Sequence, residues 1–87
     1  MRAKSPLPPQ SLQVLEYLRN MGSRTQREII EELDLPTRTV RYSIRRLIEK
    51  DFIVKQPNLN DMRSVYYAVS PDLTNFDEIV AKEFAHV

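Results

Sequence analysis

Four arginines, Arg38, Arg41, Arg45 and Arg46, crowd one short segment, and no acidic residue interrupts the run from Pro36 to Ile48. A guanidinium is permanently charged and presents a planar fork of donors that matches phosphate oxygens and polar base edges. The segment therefore carries +4 in a chain whose formal total is only +1, so the charge is segregated and the remainder is slightly acidic. The spacing is helical. At 100° per residue, Val40, Ile44, Leu47 and Ile48 fall within roughly a third of the circumference, and Arg38, Tyr42, Arg45, Arg46 and Glu49 lie on the opposite arc. One face is anchored and the other is free to touch a polyanion. Of the four arginines, Arg38 and Arg45 are read as lying closer to the middle of that arc. Arg41 and Arg46 flank it, where a second reading stays open: solvated charges, or ion pairs with Glu49 and Glu31. Tyr42 projects from the same face, either as a contact or as a cover for Pro36 or an arginine stem.

Other chemistries find no residues to carry them. Cysteine is absent and the single histidine is His86, so thiolate metal sites and spaced His/Cys ligand sets cannot be built, and no metal or other cofactor is implied. There is no glycine-rich phosphate loop, and no nucleophile, base and orienter can be assembled, so the chain does not read as an enzyme. The longest apolar runs, such as Val65 to Val69, fall far short of the roughly 20 residues of a membrane span, and the N-terminus has no apolar signal region. The expected location is cytoplasmic, with no membrane partner. Eighty-seven residues make one domain with one modest core.

The elements that must hold the basic helix follow in order. Residues 1–9 contain Arg2, Lys4 and three prolines and predict an extended basic arm, either a frayed terminus or a contact to phosphate or a partner subunit. From about Pro9 to Met21, Leu12, Val14, Leu15, Leu18 and Met21 recur at spacings of three and four, a first helix that Gly22 ends in left-handed geometry. Ser23 and Arg24 make a short connection with room for one or two residues of strand. Thr25-Gln26-Arg27-Glu28 fits a capping box, and the second helix runs to about Asp34 with Ile29, Ile30 and Leu33 inward. It carries a net −3 from Arg27 against Glu28, Glu31, Glu32 and Asp34, so it supports and does not read a polyanion. Leu35-Pro36-Thr37 is a tight turn, with Thr37 as N-cap or Pro36 as first-turn proline of the third helix. Two helices joined by so few residues form a helix-turn-helix, whose second member fits the major groove of a duplex.

After Lys50-Asp51 the period turns extended. Phe52-Ile53-Val54 and Ser64 to Val69 predict two strands around the turn-rich Pro57 to Asp61, a hairpin placed directly after the helix-turn-helix. Tyr66 and Tyr67 point to opposite faces, one of them into the core. In residues 71–87, Leu73, Phe76, Ile79, Val80, Phe84 and Val87 mark a fourth, acidic helix with Ser70 and Thr74 as candidate caps. It packs on the first helix of its own subunit, or joins that helix in a symmetric dimer interface; two large aromatics on a short helix favour the dimer.

The stretch TQREIIEELDLPTRTVRYSIRRLIEKDFIVKQPNLNDMRSVYYAVS, from Thr25 to Ser70, resembles the winged helix-turn-helix of MarR-type and ArsR-type transcriptional regulators. The features that carry the likeness are the capping Thr25, Leu35 in the turn, the Thr39-Val40 pair, Leu47 before a charged pair and an apolar strand start, and Asp61-Met62-Arg63 ahead of Tyr66-Tyr67. The resemblance implies a mainly α (α+β) fold: a three-helix core, a two- to three-stranded β-wing and an extra C-terminal helix. Together with the residue patterns on either side of it, the expected division is an arm at 1–9, a winged helix-turn-helix domain at 10–70 and a C-terminal dimerisation helix at 71–87. The resemblance implies a sequence-specific double-stranded DNA-binding regulator and specifies no small-molecule effector; the homodimer through the fourth and first helices is the expectation drawn from the aromatic residues of the last helix. The implied DNA contacts are Thr37, Arg38, Thr39, Arg41, Tyr42, Arg45 and Arg46 on the third helix and Arg63 on the wing, where Asp61 steadies the arginine. Asp51 departs from the family, which usually places Gly there. The chain also has shorter flanking helices than typical members. Two other classes use such a fold, a protein-protein interaction module without direct DNA contact and an RNA binder.

Overall fold

The computed structural model describes residues 7–61, 63–73 and 75–84, the side chains of 77 and 82–84 excepted. Helix α1 spans Pro9–Met21, with Pro8 extended before it and proline at the first helical position, where no backbone donor is missed. Arg2 and Lys4 of the expected arm lie outside the described residues, but its last part is no free arm. Leu7 is 5% exposed and belongs to the core. It stands just before the N-cap, the place from which an apolar side chain folds back onto a helix's first turn. Val14, Leu15 and Leu18 are buried on the inner face of α1, and Met21 is exposed. Gly22 ends the helix with φ 85 and donates its N–H to the Leu18 carbonyl at 2.9 Å. The positive φ is the one expected, but ψ of −160 is extended and not left-handed helical, so the chain leaves directly into strand β1, Arg24–Thr25.

Helix α2, Gln26–Leu33, opens with the expected reciprocal cap: Thr25 Oγ1 accepts from the Glu28 amide at 3.2 Å, and the Thr25 amide donates to Glu28 Oε1 at 2.9 Å. It closes on Asp34 in left-handed geometry, φ 53 and ψ 45. Pro36 is the N-cap residue of α3, Thr37–Glu49, so Thr37 is its first helical residue and supplies no side-chain cap. The end of α3 is a Schellman motif. Phe52 donates its amide to the Leu47 carbonyl at 3.0 Å and Asp51 to Ile48 at 2.9 Å, with Asp51 at φ 64. Asp51 thus adopts the conformation that glycine would take, and Phe52 is turned into the core against the same helix.

Strands β2, Ile53–Pro57, and β3, Val65–Val69, form the antiparallel hairpin, and β1 pairs with the other edge of β3 to give the order β1-β3-β2. The register sets Lys55 opposite Tyr67, Gln56 opposite Tyr66, and Arg24 opposite Tyr67. β2 outlasts its apolar run because Lys55, Gln56 and Pro57 stay paired with β3. In the connecting loop, Asn58 Oδ1 accepts from the amides of Asn60 (3.0 Å) and Asp61 (3.2 Å). Asp61 then fastens the return, accepting from the amide and Nε of Arg63 and from Ser64 Oγ.

The core gathers Val14, Leu15 and Leu18 of α1, Ile29 of α2, Val40, Ile44 and Leu47 of α3, and Phe52 and Ile53. Ser11 and Ser43 are also fully buried, on the two helices α1 and α3 that pack on each other. Their small side chains let backbones approach closely. Helix α4, Phe76–Phe84, begins later than a Ser70 cap would require. The Ser70 amide is bound to the Phe52 carbonyl and its hydroxyl accepts from the Asp72 amide, so Ser70 closes a turn; Thr74, the other candidate cap, lies outside the described residues. Leu73, Phe76 and Ile79 pack against the core of their own chain, and the Arg19 guanidinium sits 4.2 Å over the Phe76 ring. The architecture is mainly α with a small antiparallel sheet, a winged helix-turn-helix.

Candidate nucleic-acid interface

The outer face of α3 lines an open groove of about 810 Å³ whose walls also include Gln26 at the start of α2 and Lys55 and Tyr67 of the sheet. Of the residues singled out from sequence, Thr37, Arg38, Arg41, Tyr42 and Arg45 line it, over a partly apolar floor of Ile44 and Ile48. Tyr42 is 47% exposed, a large ring held open on the same arc as the arginines. Arg63 belongs to a neighbouring groove at the base of the wing, which it shares with Thr25, Gln26 and Arg27. Its side chain is 92% exposed while Asp61 holds its backbone amide and, at 3.4 Å, its Nε. The stem is therefore oriented and the terminal nitrogens are left to solvent.

Arg45 and Arg46 part company. Arg45 is 75% exposed and only loosely paired with Glu49 at 3.8 Å, whereas the Arg46 side chain is 16% exposed and makes a close ion pair with the same carboxylate. Arg46 and Thr39 line neither groove, and Thr39 is half-buried. Arg46 thus sits on the inner rim of the helix with its charge answered locally, so the exposed cations of the arc are Arg38, Arg41 and Arg45, beside Tyr42 and Glu49. Arg41 has no ion pair with Glu31, whose carboxylate pairs with Arg27.

Three groove residues escaped the sequence. Gln26, Lys55 and Tyr67 come from a helix start and two strands, and only the β2–β3 register brings Lys55 and Tyr67 side by side. The alternation of β2 was the one available signal, because it turns Lys55 to the face opposite Val54. Glu49 also lines the groove, its one acidic member. Among the described residues no group of three or more His, Cys, Asp or Glu is placed to hold a metal ion, and no helix is long and apolar enough to cross a membrane.

Comparison with known proteins bears on the fold and the family. Solved structures superpose on most of the chain: mutant MarR from E. coli complexed with operator DNA, with a TM-score of 0.71, 22% identity and coverage of 84% of this chain and 52% of that one. YusO from Bacillus subtilis gives 0.69, 27% identity, and 88% and 52% coverage. BpsR of Bordetella bronchiseptica, studied for regulation of its DNA binding by 6-hydroxynicotinic acid, gives 0.75, 24% identity, and 90% and 56% coverage. The chain spans about half the length of these proteins. Among curated proteins, no significant sequence match is found. The sequence model of the MarR family matches residues 5–64, from before α1 to the end of the loop that precedes β3, and the chain belongs to the MarR family.

Proposed function

We propose that the chain is a sequence-specific double-stranded DNA-binding transcriptional regulator, with α3 in the major groove and Arg63 of the wing on the neighbouring backbone. The observation that supports this most is the exposed arc of Arg38, Arg41, Tyr42 and Arg45 lining one groove, next to a wing arginine oriented by Asp61. An α-helix and its side chains fit a major groove about 12 Å wide, and the N-terminal residues of the inserted helix meet base edges. Thr37, Arg38 and Arg41 stand there, and Arg45 and Arg63 fall to phosphates. The solved MarR–operator complex supports the same reading by its shared fold. The acidic outer face of α2 stays off the duplex.

The regulator is a homodimer that places two α3 helices about one helical turn apart on the duplex. Phe76 and Ile79 are spent on the core of their own subunit, so the second copy meets the other face of α4 with the C-terminal end of α1, where Met21 is 49% exposed. Sedimentation of the intact chain beside a variant ending at Ser70 tests this part. For the DNA reading, Arg38→Ala and Arg45→Ala are each expected to weaken duplex binding by about tenfold, as for one charge-assisted contact, while melting like the parent. Parental affinity in both variants at physiological salt refutes the assignment of α3 as the reading helix.

A further inference from the structure

Two grooves meet on this surface, and they share two residues. Gln26 and Tyr67 line both the groove along α3 and the groove at the base of the wing. Lys55 stands beside them: it is the cross-strand partner of Tyr67, and directly opposed residues of an antiparallel pair present their side chains on the same face. All three side chains end in donors, an amide, a phenol and an ammonium. None of them has a hydrogen bond or ion pair among the described residues, and Lys55 is exposed. The nearest charges along the two grooves are Arg38, Arg41 and Arg45 on one side and Arg27 and Arg63 on the other. Arg27 is partly answered by Glu31, and the acidic member of the α3 groove, Glu49, is engaged by Arg45 and Arg46.

A duplex whose major groove receives α3 while its backbone runs to the wing must pass a strand over this seam. We propose that Gln26, Tyr67 and Lys55 together bind one backbone phosphate there, a contact made by the support helix and the sheet and not by the reading helix. Phosphate contacts of this kind, from Lys, Tyr and Gln side chains, fix the register of a protein on the duplex without reading sequence. The seam therefore sets how deeply and at what angle α3 sits, and its three residues are positioning residues for the arginines beside them. The site rests on the DNA-binding reading, since it takes a phosphodiester of the same duplex.

The test uses the full chain and a random-sequence duplex, with affinity measured across a salt series for the parent, Lys55→Ala, Gln26→Ala, Tyr67→Phe and the Lys55→Ala/Tyr67→Phe pair. Tyr67→Phe keeps the ring that packs on the core and removes only the hydroxyl, so it separates binding from folding; unchanged melting checks the others. Lys55→Ala is expected to reduce the slope of log K against log salt by about 0.9, one phosphate contact. Tyr67→Phe and Gln26→Ala are expected to weaken binding several-fold with the slope unchanged, because neutral donors release no counterion. The double variant should lose less than the sum of its singles, as residues on one phosphate do. Parental affinity and slope in all three single variants, with Arg38→Ala still weakened, overturns the seam and leaves the reading of α3 intact. No duplex binding by the parent at low salt overturns both.

Discussion

Replacing Asp51 by glycine should make the protein more stable. Asp51 is held at φ 64 by the Schellman motif that ends α3, its amide on the Ile48 carbonyl and the next amide on Leu47. An L-residue in this region costs roughly 1–2 kcal/mol, with Asp near the lower end because its side chain can bond locally. The carboxylate also sits at the negative end of the helix dipole, an exposed cost of a few tenths of a kcal/mol. Glycine removes both, and its greater freedom in the unfolded chain offsets about half of the gain. The net expectation is about 0.5–1 kcal/mol of added stability, or roughly 3–6 °C in Tm for a domain of this size. Asp51→Ala separates the causes, since it removes the carboxylate and keeps the Cβ; it should lose about 0.5 kcal/mol. Urea unfolding at constant m-value reads both changes. If alanine stabilises as much as glycine, the carboxylate is the cost and the left-handed backbone at Asp51 is not. The motif matters beyond stability because it turns the chain from α3 into β2 and so fixes the wing beside the helix.

Two further changes have defined outcomes. Glu49→Gln should tighten duplex binding about two- to fivefold at low salt: a carboxylate roughly 8–10 Å from phosphates repels them by about 0.5 kcal/mol, and releasing Arg45 from an exposed pair adds up to about 0.5 kcal/mol. The gain should shrink at high salt, and unchanged or weaker binding at low salt would count against a phosphate-facing groove. Ser43→Ala should be neutral or stabilising by up to about 1 kcal/mol, because the buried hydroxyl has no hydrogen-bond partner among the described residues and alanine favours the helix; a loss above about 1 kcal/mol in chemical denaturation would reveal a partner for it.

The helices were legible because their signals are local. The Thr25–Glu28 cap, the proline before α3 and the three-four spacing of Val14, Leu15, Leu18, Val40, Ile44 and Leu47 each act within a few residues, and each element formed where they point. At Asp51 the signal was the family's usual glycine, a residue type that marks a positive φ, and the aspartate adopts it. What the sequence withheld depends on long-range placement. A helical wheel sets Arg46 on the polar arc, but which part of a rim becomes covered is decided by the neighbouring layers, and a long arginine stem folds into such a rim with its head on Glu49. Gly22 illustrates the limit from the other side: the residue type announces a positive φ, while the pairing of β1 with β3 sets the ψ that follows. The seam of Gln26, Lys55 and Tyr67 exists only once the strand register is known. The fourth helix was legible as a helix, yet its aromatic Phe76 turns to its own core and to Arg19, because the open face of α1 lies within reach.

Titration of the intact chain onto a random-sequence duplex between about 50 and 200 mM salt decides whether the basic face of α3 meets a nucleic-acid backbone. With about three to five phosphates neutralised per subunit, log K should fall with log salt at about 0.9 for each contact, a slope of about 2.7–4.5 for one subunit. Binding that is absent at the lowest salt, or that does not weaken as salt rises, would rule out phosphate contact by α3 and favour a winged-helix module that meets protein.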